Sequence, residues 1–392
     1  MKREAQSPIR AETLEMIRRL IGFDTTSRES NLGLIEWVRD WLKDFGVESR
    51  LTYDAERKKA NLFATIAKGT RPGIVLSGHT DVVPVDGQPW DTDPFTATLK
   101  DDRIYGRGAC DMKSYIAAAL AATPRFLAAD LKAPVHFALS YDEEIGCIGV
   151  RGLIEDLERN DIRPGGCIVG EPTGMQPVVA NKGFRSFRCS VRGKEAHSAL
   201  APHGVNAIDY AARLVVHIRG LADRLRDGGP RDEGFDVPFT TLHTGLIQGG
   251  TASNIVPRDC EFHFEVRYLP GADPDALERE IKAYATDVLE PEMKRVDPGA
   301  GFSFVTKSDT PGVAAAEADE ITALAQALAR DRSTAKVAYA AEAGLFQRAG
   351  IPSIICGPGS IEQAHKPNEY ITLEQVARCE SFMDRLVDAL SR

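Results

Sequence analysis

Short apolar runs alternate with helical spacings through the first part of the chain. The run at residues 73–76 (GIVL) is followed by a helical pattern from about 113 to 129, the run 135–139 (VHFAL), a helix near 150–159 and the run 167–169 (CIV). Alternation of this kind predicts a largely parallel sheet with helices on both faces. Ligands of such sheets bind at the carboxyl ends of the strands.

From Gly183 the order changes to strand (184–191), long helix (about 205–225), strand (240–247), strand (260–268), helix (about 274–289) and strand (302–307). This βαββαβ order is the ferredoxin-like split unit, read as a second domain inserted into the first. The polar, glycine-rich stretch 226–238 reads as a surface loop. After Pro311 the first pattern resumes, with a helix near 317–330 and the run 351–356. The expected fold class is therefore α/β: a mostly parallel sheet domain formed by 1–182 and 312–392, with an inserted ferredoxin-like α+β lid or dimerisation domain at 183–311.

Several apolar runs of the first domain lead into acidic or imidazole side chains. The run ending at Leu76 enters Ser77-Gly-His79-Thr-Asp81, the run 135–140 enters Tyr141-Asp-Glu143-Glu144, and 167–170 enters Glu171. Ile354-Ile355 leads through Gly357-Pro-Gly-Ser360 to His365, and Asp111 stands just before a predicted helix. In parallel strands these groups converge on one crevice. Histidines mixed with several carboxylates are the donor set of a two-metal hydrolytic site. Taken singly, His79 reads as an ordinary strand-end residue and Glu143-Glu144 as a solvated turn; it is their joint placement that points to metal. Adjacent in sequence, Glu143 and Glu144 would face opposite ways in extended backbone, leaving one to bind metal and the other to carry protons.

Composition narrows the setting. At 392 residues the chain exceeds the size at which one core keeps growing. Residues 1–20 mix Lys2, Arg3, Glu4, Arg10, Glu12 and Glu15 with apolar positions at helical spacing, which predicts a first surface helix and not a signal peptide. Seven scattered cysteines with no Cys-x-x-Cys pair suggest neither a disulfide framework nor a zinc finger, and fit a reducing cytoplasm. A net charge of -9 provides no basic footprint for nucleic acid or anionic lipid.

The motifs SGHTDVVPVDGQPW with DPF (77–95), YGRGACDMK (105–113), DEEIG (142–146), GEPT (170–173), GKEAHSA (193–199), GGTASNIVP (249–257) and GPGSIEQAHKPNEY (357–370) carry a resemblance covering nearly the whole chain. The sequence resembles the M20 family of metallopeptidases and deacylases, within it the acetylornithine deacetylase branch. The resemblance implies two divalent metal ions, zinc first, with cobalt or manganese acceptable to the same donors. It implies that Asp111 bridges them, that His79 and Glu171 complete one site, and that Glu144 and His365 complete the other. Asp81 would hydrogen-bond His79 and fix its tautomer. Glu143 would be the general base, taking a proton from the attacking water and returning it to the departing amine.

In the inserted domain, the resemblance assigns oxyanion stabilisation to His197, reaching into the site of a partner subunit of a homodimer; a surface-loop histidine is the plain alternative. Asn254 and Arg267 match positions that hold a substrate carboxylate, although Arg267 reads equally as an edge-strand surface charge. Gly357–Ser360 would offer backbone N–H groups to the substrate, or be only a tight turn. Ala340 and Ala341 depart from the Gly-Thr-Glu-Ala-Gly stretch common in the branch, where a lost hydroxyl bears on the acyl amino acid accepted. The expected reaction is hydrolysis of an N-acyl amino acid, first N-acetyl-L-ornithine to L-ornithine and acetate in arginine biosynthesis. The alternatives are a succinyl-diaminopimelate desuccinylase, another amidase or carboxypeptidase of the family, a deacetylase for citrulline or a catabolic substrate, and a metal-binding module without turnover.

Overall fold

The strands Ile74–His79, Val135–Ser140 and Gly166–Pro172 are buried at every position. Continuous burial of this kind arises where both faces of a sheet are covered, as in parallel sheets flanked by helices. In the computed structural model, which describes residues 9–392, these strands lie at the centre of an eight-stranded sheet. Its order is Ser49–Tyr53, Ala60–Ile66, Val135–Ser140, Ile74–His79, Gly166–Pro172, Ser353–Gly357, Val178–Asn181 and Ala335–Val337. Ile74–His79 runs parallel to both its neighbours, and Ser353–Gly357 parallel to Gly166–Pro172. The register sets His79 opposite Ser140 and Gly357 opposite Pro172, so the carboxyl ends of four parallel strands come level with one another.

The sequence pattern passes over the antiparallel hairpin Ser49–Tyr53 and Ala60–Ile66, whose second strand pairs antiparallel with Val135–Ser140. The helix expected at 113–129 is two, Lys113–Ala121 and Thr123–Ala128, with Pro124 in the first turn of the second, where its missing N–H costs nothing. Of the expected N-terminal helix, residues 1–8 lie outside the described residues; the helix Ala11–Ile21 turns Met16, Ile17, Leu20 and Ile21 inward. A small three-stranded sheet joins Thr98–Lys100, Arg103–Tyr105 and Tyr370–Thr372, with Tyr370 opposite Tyr105. It brings the segment after His365 alongside the segment before Asp111.

The chain divides into two compact units, one of residues 1–180, 313–336 and 341–392, the other of 181–312 and 337–340. The second contains a four-stranded antiparallel sheet in the order Thr241–Gly249, Asp259–Tyr268, Gly183–Arg192, Gly301–Thr310. Burial alternates strictly along its two inner strands, the mark of a sheet covered on one face. Ala211, Leu214, Ile218 and Leu221 of the helix Ala207–Gly228 share that core with Ile281, Ala285, Leu289 and Met293. The helix expected at 274–289 is regular to Ala283, wider-wound from Tyr284 to Leu289, and regular again at Glu290–Lys294. All seven cysteines are buried, and none of them forms a disulfide. Among the described residues no helix is long and apolar enough to cross a membrane.

Candidate metal centre

Two strand ends, the turn at Glu144, the segment before the helix Lys113–Ala121 and the loop at His365 bring five of the expected side chains together in the first unit. Asp111 lies between two imidazoles: its Oδ1 is 3.0 Å from His79 Nε2 and its Oδ2 is 3.2 Å from His365 Nε2. Glu171 Oε1 lies 4.0 Å from His79 Nε2, and Glu144 Oε2 lies 3.0 Å from His365 Nε2. The two halves differ in exposure, for the His79 side chain is 1% exposed and that of His365 48%.

His79 Nδ1 faces Asp81, but the nearer acceptor is the Asp81 backbone carbonyl at 2.8 Å, with the carboxylate Oδ1 at 3.6 Å. The carboxylate is engaged elsewhere. It accepts from Ser27 Oγ at 2.7 Å, from the Glu143 N–H at 3.1 Å and from the Glu144 N–H at 3.3 Å. Asp81 therefore holds the histidine through its main chain and the two glutamates through its side chain. Those glutamates lie at a turn outside any strand: Asp142 has φ 55° and the Glu143 carbonyl accepts the N–H groups of Gly146 and Cys147. A turn, and not strand alternation, separates their carboxylates, sending Glu144 to His365 while Cys147 Sγ–H donates to Glu143 Oε1 at 3.2 Å.

The electrostatics are those of a crowded acidic pocket. Burial pushes the Glu143 carboxyl up to about 8, with His79 opposing and Glu144 adding to the rise. Burial and the nearby Asp111 raise Glu144 and, more strongly, Glu171. Asp111 goes the other way, since hydrogen bonds from both histidines outweigh its burial. Hydrogen bonds to Asp111 and Glu144 bring His365 up to about 10; burial works against protonation of His79, but its bond to Asp111 and the nearby Asp81 carboxylate raise it.

This arrangement fits divalent cations. His79, Glu143 and Glu171 each offer an atom within 4.8 Å of one another, and so do His79, Asp111 and Glu144. Glu171 Oε1 is buried with no hydrogen-bond partner, a costly state that a cation would relieve. Cation binding would displace the protons that the two imidazoles hold between carboxylates.

The other expected residues are placed differently. His197 and Asn254 belong to the second unit, where their strands of loop are bridged: the Ser198 N–H donates to the Asn254 carbonyl at 2.9 Å and His197 pairs with Ile255. His197 is exposed, and its Nδ1 accepts the Ala199 N–H at 3.1 Å, which leaves the proton of the neutral ring on Nε2. Arg267 stands on an inner strand and not an edge, 4.9 Å over the Phe184 ring and bonded to Glu265 at 3.0 Å. Gly357 has no N–H to lend, because it donates to Thr173 Oγ1 at 3.2 Å. A Cβ at Gly357 would meet the Gly170 backbone, so this glycine lets two strands approach beside Glu171.

Three buried groups around the centre escape a reading of ligand types alone. Glu342 accepts from Ser77 Oγ at 3.2 Å and from Ser140 Oγ beneath the site. Lys113, held near 7 by burial, donates to the Phe23 carbonyl at 2.8 Å. Glu369 bonds the backbone at Asp111 and pairs with Arg107. Each lies in a quoted motif or its surroundings, but only burial distinguishes it from a surface charge.

The model of peptidase family M20/M25/M40 matches residues 75–389. An acetylornithine deacetylase of Myxococcus xanthus is 36% identical over 389 residues, covering 96% of this chain and 98% of that protein. One from Aliivibrio salmonicida is 32% identical over 375 residues, 94% of this chain and 92% of its own. In fold the chain is similar to an M20 family metallo-carboxypeptidase, Sso-CP2 of Sulfolobus solfataricus, with a TM-score of 0.77 at 20% identity over 97% of this chain and 99% of the other. The match spans the strands, turns and loops that supply every side chain of the centre, and the chain belongs to peptidase family M20/M25/M40, a family of metal-dependent hydrolases.

Proposed function

We propose that the chain hydrolyses the amide bond of Nα-acyl amino acids, with N-acetyl-L-ornithine, cleaved to L-ornithine and acetate, as its first substrate. The observation that carries the chemistry is the Asp111 carboxylate offering one oxygen to His79 and the other to His365. Likeness to acetylornithine deacetylases over nearly the full length of the chain supports the substrate.

Two divalent cations, zinc first, would be held by His79, Asp111 and Glu171 and by Asp111, Glu144 and His365, where they supply Lewis-acid polarisation of the amide carbonyl and acidify water. Glu143 is the proton carrier. It lies against the ligand cluster, yet its backbone is fixed by Asp81 and its carboxyl titrates near neutrality, about 8. A group so tuned can take a proton from the attacking water and deliver it to the amine nitrogen as the C–N bond breaks. His197 of the partner subunit would donate its Nε2–H to the oxyanion, with Asn254 and Arg267 holding the substrate carboxylate.

The test is amine release from N-acetyl-L-ornithine and N-succinyl-diaminopimelate side by side, with added zinc or cobalt and with a chelator. Chelator-sensitive cleavage of the acetyl substrate is expected. Cleavage of the succinyl substrate alone would overturn the substrate assignment and leave the metal chemistry in place.

A further inference from the structure

We propose that Arg107 and Glu369 are positioning residues that clamp the loop carrying Asp111 to the loop carrying His365, so that cation binding in the His365 half depends on a buried ion pair outside the ligand set. The inference rests on the metal ligands proposed above.

Both side chains are 1% exposed, and Arg107 Nη1 donates to Glu369 Oε2 at 2.5 Å. The other carboxylate oxygen, Oε1, accepts the N–H of Cys110 at 2.8 Å and of Asp111 at 3.1 Å. On the far side, Arg107 Nη2 donates to Gln88 Oε1 at 2.7 Å, and Gln88 Nε2 donates to the His365 carbonyl at 3.3 Å. Arg107 Nη1 also reaches the Lys366 carbonyl at 3.4 Å, and Trp90 lies under the guanidinium at 5.2 Å while donating Nε1–H to Gln88 at 3.1 Å. The Glu369 carbonyl accepts the Gly106 N–H at 3.0 Å. The pair thus grips the main chain at Asp111 with one end, and with the other reaches the Lys366 carbonyl directly and the His365 carbonyl through Gln88.

The two halves of the centre need this support unequally. His79 ends a buried strand, and its ring is held by Asp81. His365 sits on a loop with φ 63° and a half-exposed ring. Two charges taken fully out of water are costly, and a hydrophobic pair of the same volume is often at least as stable. A pair kept at such a position while bonding the backbone of one ligand and the neighbour of another acts on geometry more than on stability.

The test uses the metal-stripped full chain titrated with Co2+, following visible absorption and heat for each equivalent, beside thermal unfolding. The wild type should take up two equivalents. In Glu369→Gln the second should weaken by about 10-fold or more, the effect expected on losing a group that orients a ligand, with the first changed by less than about 3-fold. Gln88→Ala, which buries no unpaired charge, should weaken the second alone by a few-fold, and keeps the proposal testable if Glu369→Gln fails to fold. In the double variant Arg107→Met/Glu369→Gln, thermal stability should recover towards wild type while the second equivalent stays weak. Equal weakening of both equivalents, no change in either single variant, or recovery of binding together with stability in the double variant would overturn the clamp. A wild type that binds fewer than two equivalents would overturn the metal reading itself, and the clamp with it.

Discussion

The Asp81 carboxylate accepts the backbone N–H of Glu143 at 3.1 Å, joining the strand end that presents His79 to the turn that presents Glu143, the proposed proton carrier. Because Asp81 also takes the His79 Nδ1–H on its carbonyl, one residue sets both the tautomer of a proposed ligand and the position of the proposed base. Asp81→Ala keeps the carbonyl and removes only the carboxylate. Activity should fall by about 10- to 100-fold, as for other groups that orient metal ligands, with cation uptake less affected than in His79→Ala. Unchanged kcat in Asp81→Ala would show that the turn positions Glu143 without it.

Glu143→Ala should abolish most turnover while leaving cation content intact, with a loss of at least about 100-fold for a positioned general base. Metal analysis of the purified variant and its kcat decide this together. Retained turnover removes Glu143 as the base; lost cation would place it among the ligands, as its proximity to His79 and Glu171 allows.

His197→Ala should lower kcat by about 100-fold or more while changing KM little, since an oxyanion donor acts on the transition state. Light scattering on the same protein should give a dimer. An unchanged kcat removes His197 from the mechanism, and a fully active monomer removes the partner subunit's His197.

Removing metal should make stability depend on pH in a defined direction. The His365 ring is raised from 6.5 to about 10 and Glu143 from 4.5 to about 8, so both bind protons more tightly folded than unfolded. A raised group contributes fully below its unfolded value, and that contribution is lost as pH rises through the folded one. The metal-stripped protein should therefore unfold at lower temperature at pH 9 than at pH 6.5, and added zinc should reduce the difference. A midpoint that rises with pH in the stripped protein would contradict this charge arrangement.

Gly357→Ala would drive a Cβ into the Gly170 backbone between two parallel strands. Because neither strand can yield locally, about 1–3 kcal/mol of stability should be lost, with weaker cation uptake at the adjacent Glu171. Denaturant unfolding checks the first and calorimetry the second; a variant as stable as wild type would show that the strands can separate there.

Part of the centre is legible in the sequence because His79, Glu144 and Glu171, three of the proposed ligands, end or closely follow apolar runs. His79 and Glu171 are fixed by strand alternation and the carboxyl-end rule, and the βαββαβ order of the second unit reads off its hydrophobic pattern. Other features are set by contacts between distant segments. Nothing local distinguishes the Asp81 carbonyl from its carboxylate as the acceptor for His79, or shows that the Gly357 N–H is taken by Thr173. Glu369 and Arg107 look like ordinary charges in a polar loop; only the pairing of Tyr370 with Tyr105 brings them together out of water. Arg267 reads equally as a carboxylate holder and as an edge-strand charge until the strand order places its strand inside the sheet.

The most direct test of the central claim is amine release from N-acetyl-L-ornithine by chelator-stripped protein, before and after zinc is returned. No turnover is expected in the stripped protein and full restoration by zinc, with Asp111→Ala inactive under both conditions because both halves of the centre would lose the carboxylate proposed as their shared ligand. Turnover that survives stripping, or an Asp111→Ala protein that zinc restores, would contradict that claim.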